Sequence, residues 1–350
     1  MDFDATIDRS AYPTLKLSKE MLITHFGSDQ VLPLSVADMD FRAPPGVVDA
    51  LAARAAHGIF GYEYPPDSTF DALVGWYDRR HGWQIDPNQI AVSPSVLSAI
   101  SILIHQHSEE GDGVILQPPV FFEFQSVIRS SHRKRVKNPL KRVNGQYRMD
   151  FEDLEAKAAD PTTKILIVCN PHNPVGRVWT HDELARAGEI CLRHNVLLIS
   201  DEIHGDIVYP PHRYTPVGSI SNELAQASVT CLSPAKTFNI AGAVDAMAVI
   251  ADEERRQRFH DFAERYQINK TNVFTSAAVE AAYRHGDVWL DQLLAYLQEN
   301  VDVLRAYLRG RLPEVKLVEP EGTYLVWLDF RALGLDAKVL ARFLAEKAHL

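Results

Sequence analysis

Cysteine is scarce in this chain, and long apolar runs and an excess of basic charge are missing. Only three cysteines occur in 350 residues, and Cys169, Cys191 and Cys231 are too far apart for a CxxC motif. Two of them sit inside apolar, strand-like runs, which fits a reduced cytoplasmic protein. No apolar run approaches the roughly 20 residues of a membrane span. Met1-Asp2-Phe3-Asp4 offers neither the basic start nor the apolar stretch of a secretory signal, so none is expected. Lysine and arginine number 36 against 46 aspartates and glutamates, a formal net charge of -10. That balance argues against a nucleic-acid partner or an anionic membrane surface. Glycine-rich dinucleotide and P-loop fingerprints are absent, and so is the HExxH zinc signature.

What remains is the make-up of a soluble globular enzyme, 46% apolar and 23% charged. Its length allows one large domain and a smaller one. Residues 1–45 are rich in turn formers. Within them Leu34-Ser35-Val36-Ala37-Asp38-Met39-Asp40-Phe41 alternates as a short strand does, before Pro44-Pro45 stops it. Helices are expected over 45–57 and 71–81, flanking an aromatic loop, Gly58-Ile59-Phe60-Gly61-Tyr62-Glu63-Tyr64. From residue 90 short apolar strands (90–92, 114–116, 165–169, 196–200, 229–232, 247–250) alternate with amphipathic helices. One of those helices opens on Thr180-x-x-Glu183, a capping box. This alternation predicts a mostly parallel sheet covered on both faces. The basic run from Arg129 to Arg142 reads as a solvated edge and turn. Helices continue to Arg311 with a break at Gly286, then come a strand over 322–330 and a final helix running into Leu350.

Four features fall where an open α/β sheet keeps its ligands, at the carboxyl ends of strands. Ser93-Pro94-Ser95-Val96 joins a strand to a helix, and free N–H groups at a helix start suit an anion. Asn170-Pro171-His172-Asn173-Pro174-Val175-Gly176 is a stiff loop that aims the Asn173 amide in a set direction, or else a purely structural turn. Asp201-Glu202-Ile203-His204-Gly205-Asp206 ends a buried strand, where a carboxylate is costly without a cation or strong donor. A metal held by Asp201, His204 and Asp206 lacks supporting spacing elsewhere. In Ser233-Pro234-Ala235-Lys236-Thr237-Phe238-Asn239 a lysine sits among small and apolar neighbours, which lowers its pKa toward a nucleophilic amine; the alternative is an exposed loop lysine. Ser233-x-x-Lys236 also has the spacing of serine acyl-enzymes, but the SDN and KTG elements they need are absent. One ligand carries a phosphate, a cation for Asp201, a hydroxyl for Asn173 and an aldehyde for Lys236. That ligand is pyridoxal phosphate.

Asn170-Pro171-His172-Asn173-Pro174, Asp201-Glu202-Ile203-His204 and Lys236-Thr237-Phe238-Asn239-Ile240-Ala241-Gly242, with Val36-Ala37-Asp38-Met39-Asp40-Phe41, Gly58-Ile59-Phe60-Gly61-Tyr62 and Gly322-Thr323-Tyr324, closely resemble fold-type I pyridoxal-phosphate enzymes of the class I/II aminotransferase superfamily. Within it the chain is most similar to the MalY/PatB group of cystathionine β-lyases, the C–S lyases. The resemblance implies an α/β fold: a large cofactor domain over 46–285, and a smaller α+β domain from 1–45 and 286–350. It implies Lys236 as the Schiff-base lysine, Asp201 facing the pyridine nitrogen, Asn173 on the ring hydroxyl with His204 beside it, and Phe121 stacked where the family has tyrosine. Ser95, Val96 and Ser233 would hold the phosphate, and Tyr62 would reach the phosphate of the neighbouring subunit in a homodimer with shared sites. The family's C-terminal segment, with its carboxylate-binding arginine, is expected to be missing past Leu350. The implied reaction is β-elimination from an amino-acid substrate, with Lys236 taking the Cα proton and a thiol leaving Cβ. An aminotransferase using the same residues is the first alternative, and a weakly catalytic cofactor-bound regulatory protein the second.

Overall fold

A computed structural model describes every residue of the chain except Pro13 and Ser35. Its strands, in chain order, are β1 (Ile90–Ser93), β2 (Gly113–Leu116), β3 (Lys134–Lys137), β4 (Lys141–Val143), β5 (Gln146–Arg148), β6 (Thr163–Cys169), β7 (Leu197–Asp201), β8 (Ser228–Leu232), β9 (Ala246–Val249), β10 (Lys316–Val318) and β11 (Trp327–Asp329). The α-helices are α1 (Lys19–Phe26), α2 (Pro45–Ala56), α3 (Asp67–His81), α4 (Val96–His107), α5 (Glu123–Ser130), α6 (Phe151–Ala158), α7 (His181–His194), α8 (Asn222–Ala227), α9 (Glu253–Arg265), α10 (Val273–His285), α11 (Asp287–Arg311) and α12 (Ala337–Phe343).

Seven strands form the central sheet in the order β1-β9-β8-β7-β6-β2-β3. Only β9 runs against the others. The strands are continuously apolar because both faces are covered. On β6, Ile165, Ile167 and Cys169 enter one core while Leu166 and Val168 enter another; on β7, Leu197 and Ile199 part from Leu198 in the same way. The first core lies under α4, α5 and α9, and the second under α6, α7 and α8. A third packs α3, α10 and α11 against the outer face of β8 and β9. The basic run supplies the exposed edge strand β3, as its charge requires.

Local signals place the helices. Ser95 caps α4 by accepting the Ser98 N–H at 3.0 Å. The Thr180/Glu183 capping box opens α7. Gly286 separates α10 from α11 because nothing larger fits: an added Cβ would lie 2.3 Å from the Phe238 ring and 2.4 Å from the Ala282 carbonyl.

Three expected elements differ. Leu34 and Val36–Phe41 form no strand (Ser35 lies outside the described residues). Their backbone groups are taken by side chains instead: Asn239 Oδ1 accepts the Met39 N–H at 3.0 Å, and Asn239 Nδ2 donates to the Met39 and Phe41 carbonyls at 2.8 and 2.7 Å. The strand expected over 322–330 shortens to β11, preceded by a single bridge between Val208 and Gly322. The last helix continues past α12 as a π turn over Leu344–Ala348 and stops there, with His349 in the left-handed region at φ 55. Among the described residues no helix is long and apolar enough to cross a membrane.

One buried carboxylate ties β7 to the loop beyond it. Glu202 is 1% exposed. It accepts from Ser200 Oγ at 2.7 Å, from the Val217 N–H at 3.0 Å and from the Tyr214 hydroxyl. Burial pushes its carboxyl up to about 7, with these donors only partly opposing. Between about pH 4.3, the unfolded value, and that raised value the native state binds the extra proton. The stability contribution is therefore complete at low pH and is lost as pH rises through about 7. Urea unfolding of the cofactor-free protein at pH 4.5 and pH 8 should show Glu202→Gln losing about 3 kcal/mol less than wild type over that interval. Equal losses in the two proteins would contradict this origin.

Candidate active site

The carboxyl ends of β1, β2, β6, β7 and β8 open on one side of the sheet. A cavity of about 180 Å³ lies there, and its walls come from the loops that leave those strands. Sheet register sets its floor. Cys169 on β6 stands opposite Asp201 on β7, which stands opposite Cys231 on β8. The carboxylate is thus flanked by two buried thiols on the α4 face of the sheet, and the Cys169 thiol lines the cavity. Burial raises both thiols well above their ordinary range, so neither is a thiolate.

Asp201 is 5% exposed and accepts one short-range donor, the Ile203 N–H at 3.1 Å. Desolvation pushes its carboxyl up to about 6, against the pull of the Ile203 N–H and the charge of Lys236. Lys236 enters from the turn after β8, between the buried Ala235 and Thr237. Its Nζ donates to the Ala37 carbonyl at 2.6 Å. Burial lowers its pKa, with Asp38 and Asp201 opposing. The two groups face one cavity with both shifts directed toward neutrality, so each lacks a partner strong enough to repay its burial.

The other walls complete the picture. His204 is 2% exposed, and burial depresses its ring to about 3, with Lys236 adding to the effect. Among the described residues its Nδ1 has no partner, and the ring packs edge-on against Tyr324 at 5.5 Å. Asn173 lines the cavity from the loop after β6. Ser95, Val96 and Leu97 line it from the start of α4, whose first N–H groups have no partner within the helix. Phe121 offers a ring held edge-on by Phe124 at 5.5 Å and 87°.

Two expected residues are not gathered into this cavity. The Ser233 hydroxyl donates to the Asp245 carbonyl at 3.0 Å and accepts the Ala235 N–H at 3.2 Å, which shapes the turn below the lysine. Tyr62 is 96% exposed on the loop between α2 and α3, with Lys270 Nζ 5.5 Å from its ring. Asp206 points away and binds Trp76, His81 and Thr237. Among the described residues no cluster of three or more His, Cys, Asp or Glu side chains is placed to hold a metal. A larger cavity of about 890 Å³ opens beyond Asp206, where Arg79, Arg80 and Arg213 line it and no strand end contributes. Sequence reasoning missed Leu97, Cys169 and Ile203 as lining residues, and missed Tyr324, whose hydroxyl donates to the Ala37 carbonyl at 2.8 Å. The regular alternation of β6 and β7 was the available signal for Cys169. Nothing in the side chain of Ala37 announces that its carbonyl matters.

Known proteins match the chain along nearly its whole length. The aminotransferase class I and II family matches residues 29–350. Cystathionine β-lyase PatB of Bacillus subtilis (strain 168) is 43% identical over 345 residues, covering 98% of this chain and 89% of that protein. Protein MalY of Escherichia coli (strain K12) is 33% identical over 348 residues, covering 99% and 88%. Cystalysin from Treponema denticola, whose crystal structure contains a pyridoxal 5'-phosphate cofactor, superposes with a TM-score of 0.94 at 34% identity, covering all of this chain and 89% of its own. The chain therefore belongs to the class I and II aminotransferase family.

Proposed function

We propose that the protein is a pyridoxal-phosphate-dependent carbon–sulfur β-lyase that converts cystathionine and cysteine S-conjugates to pyruvate, ammonia and a thiol. The observation that carries the reading is one buried amine and one buried carboxylate, Lys236 and Asp201, facing a single cavity with neither fully neutralised. The 43% identity to a protein named cystathionine β-lyase supplies the substrate class.

The residues present fit the cofactor. Asp201, raised to about 6 by burial, calls for a cationic donor, and a protonated ring nitrogen is one. His204, whose Nδ1 has no partner among the described residues, and the Asn173 side chain lining the cavity suit the polar edge of the ring, and Phe121 suits its face. The Ser95 and Val96 N–H groups at the start of α4 suit the phosphate. Ser233 would contribute by fixing the turn, or to the phosphate directly if its hydroxyl proton turned from the Asp245 carbonyl toward it. When bound, pyridoxal phosphate draws electrons from the substrate carbon that bears the amino group, making its proton acidic.

Lys236 would hold the cofactor through its aldehyde, and its Nζ, when free, would accept the proton from Cα, a role that the depressed pKa of a desolvated amine allows. Asp201 would favour positive charge at the ring nitrogen. Burial keeps the Cys169 thiol un-ionised, so this wall of the cavity carries no charge. We further assign 46–285 to a cofactor domain. The segments 1–45 and 286–350 form a smaller one, in keeping with the packing of Phe3 on Phe41, Trp289 and Tyr296. The exposed aromatic loop carrying Tyr62 supports a homodimer in which that side chain reaches the partner's phosphate. The buried, unpaired cysteines support a cytoplasmic location.

In Lys236→Ala the visible absorbance of lysine-bound cofactor should vanish, and turnover should fall at least about 100-fold. Retention of that band without substrate would remove Lys236 from the role. Incubation of the holoenzyme with cystathionine and no keto acid should release pyruvate in stoichiometric excess over enzyme. Turnover only after a keto acid is added, with amino-group transfer to it, would make the protein an aminotransferase instead.

A further inference from the structure

Asp206 lies outside the cavity, yet three side-chain donors surround its carboxylate. Its Oδ2 accepts the Thr237 hydroxyl at 2.8 Å. Its Oδ1 accepts the Trp76 indole N–H at 2.9 Å and His81 Nε2 at 2.7 Å. Burial alone would raise its pKa, but these donors hold it below the ordinary carboxylate value, so it stays an anion. Trp76, Thr237 and Asp206 are all buried.

The connections matter more than the charge. Asp206 stands in the loop leaving β7, five residues after Asp201. Thr237 stands in the turn leaving β8, immediately after Lys236. One hydrogen bond thus spans the two loops that carry the acid and the amine of the active site, and the other carboxylate oxygen anchors both to α3. Strand register fixes Asp201 but ends at Leu232, four residues before Lys236. Beyond that point the turn is held by its own backbone bonds and by the side chains of Ser233, Thr237 and Asn239. Of these three only Thr237 connects to the loop of Asp201.

We propose that Asp206, acting through the Thr237 hydroxyl, is a positioning residue that sets where Lys236 Nζ stands relative to Asp201. The proposal rests on the reading in which Lys236 and Asp201 grip the same cofactor. A lysine tethered only through its backbone would sample a wider arc, and misplacement by about 1 Å costs on the order of 100-fold in a reaction that depends on alignment.

The test compares four variants for the rate at which Lys236 captures pyridoxal phosphate, trapped by cyanoborohydride and read as protein mass. Capture is tracked across pH, with the unfolding midpoint of each protein measured alongside. Thr237→Val and Thr237→Ala should slow capture at least tenfold and lower kcat for cystathionine with KM within twofold. Thr237→Ser, which restores the hydroxyl, should recover capture to within twofold of wild type. Trp76→Phe removes a donor from the α3 side alone; it should lower the unfolding midpoint while leaving capture within threefold. If Thr237→Val fails to fold, Thr237→Ala takes its place, because it too removes the hydroxyl and leaves Asp206 its bonds to Trp76 and His81. Capture by Thr237→Val, or in its place Thr237→Ala, at the wild-type rate overturns the proposal. So does an equal loss in Trp76→Phe, which would make the carboxylate merely structural. Failure of wild type itself to capture at Lys236 would refute the cofactor reading instead, and the two failures are therefore distinct.

Discussion

The desolvation of Asp201 is the constraint on which the rest of this structure depends. A carboxylate at the end of a central strand, between Cys169 and Cys231, has lost its water and gained one backbone donor. Such a group is expensive, and its rise to about 6 measures the shortfall. Lys236 carries the opposite shortfall in the same cavity. Neither charge repays the other in full, since an ideal buried pair would pull the acid down and the amine up. The two apolar cores on either face of β6 and β7 must offset that cost, and they do so with strands that are apolar on both sides. A register slip of one residue along β7 would turn Asp201 to the opposite face and empty the site.

The cavity is assembled by loops, and its precision comes from where their backbone groups are bound. Segment 36–41 approaches Lys236 from a distant part of the chain, and it is fastened by Asn239 and Tyr324 rather than by strand pairing. Asn239 adopts a left-handed conformation at φ 57, a placement asparagine tolerates better than most side chains. Three hydrogen bonds from that one amide hold Met39 and Phe41. The lysine turn and the strap that covers it are thereby a single unit.

Much of this was legible in the sequence, for a physical reason. In a parallel sheet, function gathers at the carboxyl ends of strands, so the stretches holding Ser95, Val96, Asn173, Asp201, His204 and Lys236 could be placed from their positions just past the apolar runs, whereas Phe121 followed from the family resemblance. All of them line the cavity. The direction of β9 was not legible in that way, because an apolar run carries no sign of direction. The alternation over 34–41 resembled a strand because its acidic residues, Asp38 and Asp40, recur every second position. They face Arg9 and Lys16 instead. Ser233 and Tyr62 stand outside the cavity for different reasons. The serine hydroxyl is engaged by its own turn, and the tyrosine projects into solvent from its loop.

The hydrogen bond between Lys236 and the Ala37 carbonyl bears on how a buried amine stays reactive. A carboxylate acceptor at 2.6 Å would hold the amine as an ammonium and take its lone pair out of use. A carbonyl accepts an N–H equally well but carries no charge to favour the extra proton, so the amine can give up that proton and remain oriented. Asp38, the next residue, supplies enough negative charge to temper the desolvation without replacing the carbonyl. Tyr324 donates to the same carbonyl at 2.8 Å, so the acceptor is held from two sides. The carbonyl of an alanine thus does what a charged partner could not: it gives Nζ an acceptor while leaving its basicity to be set by burial.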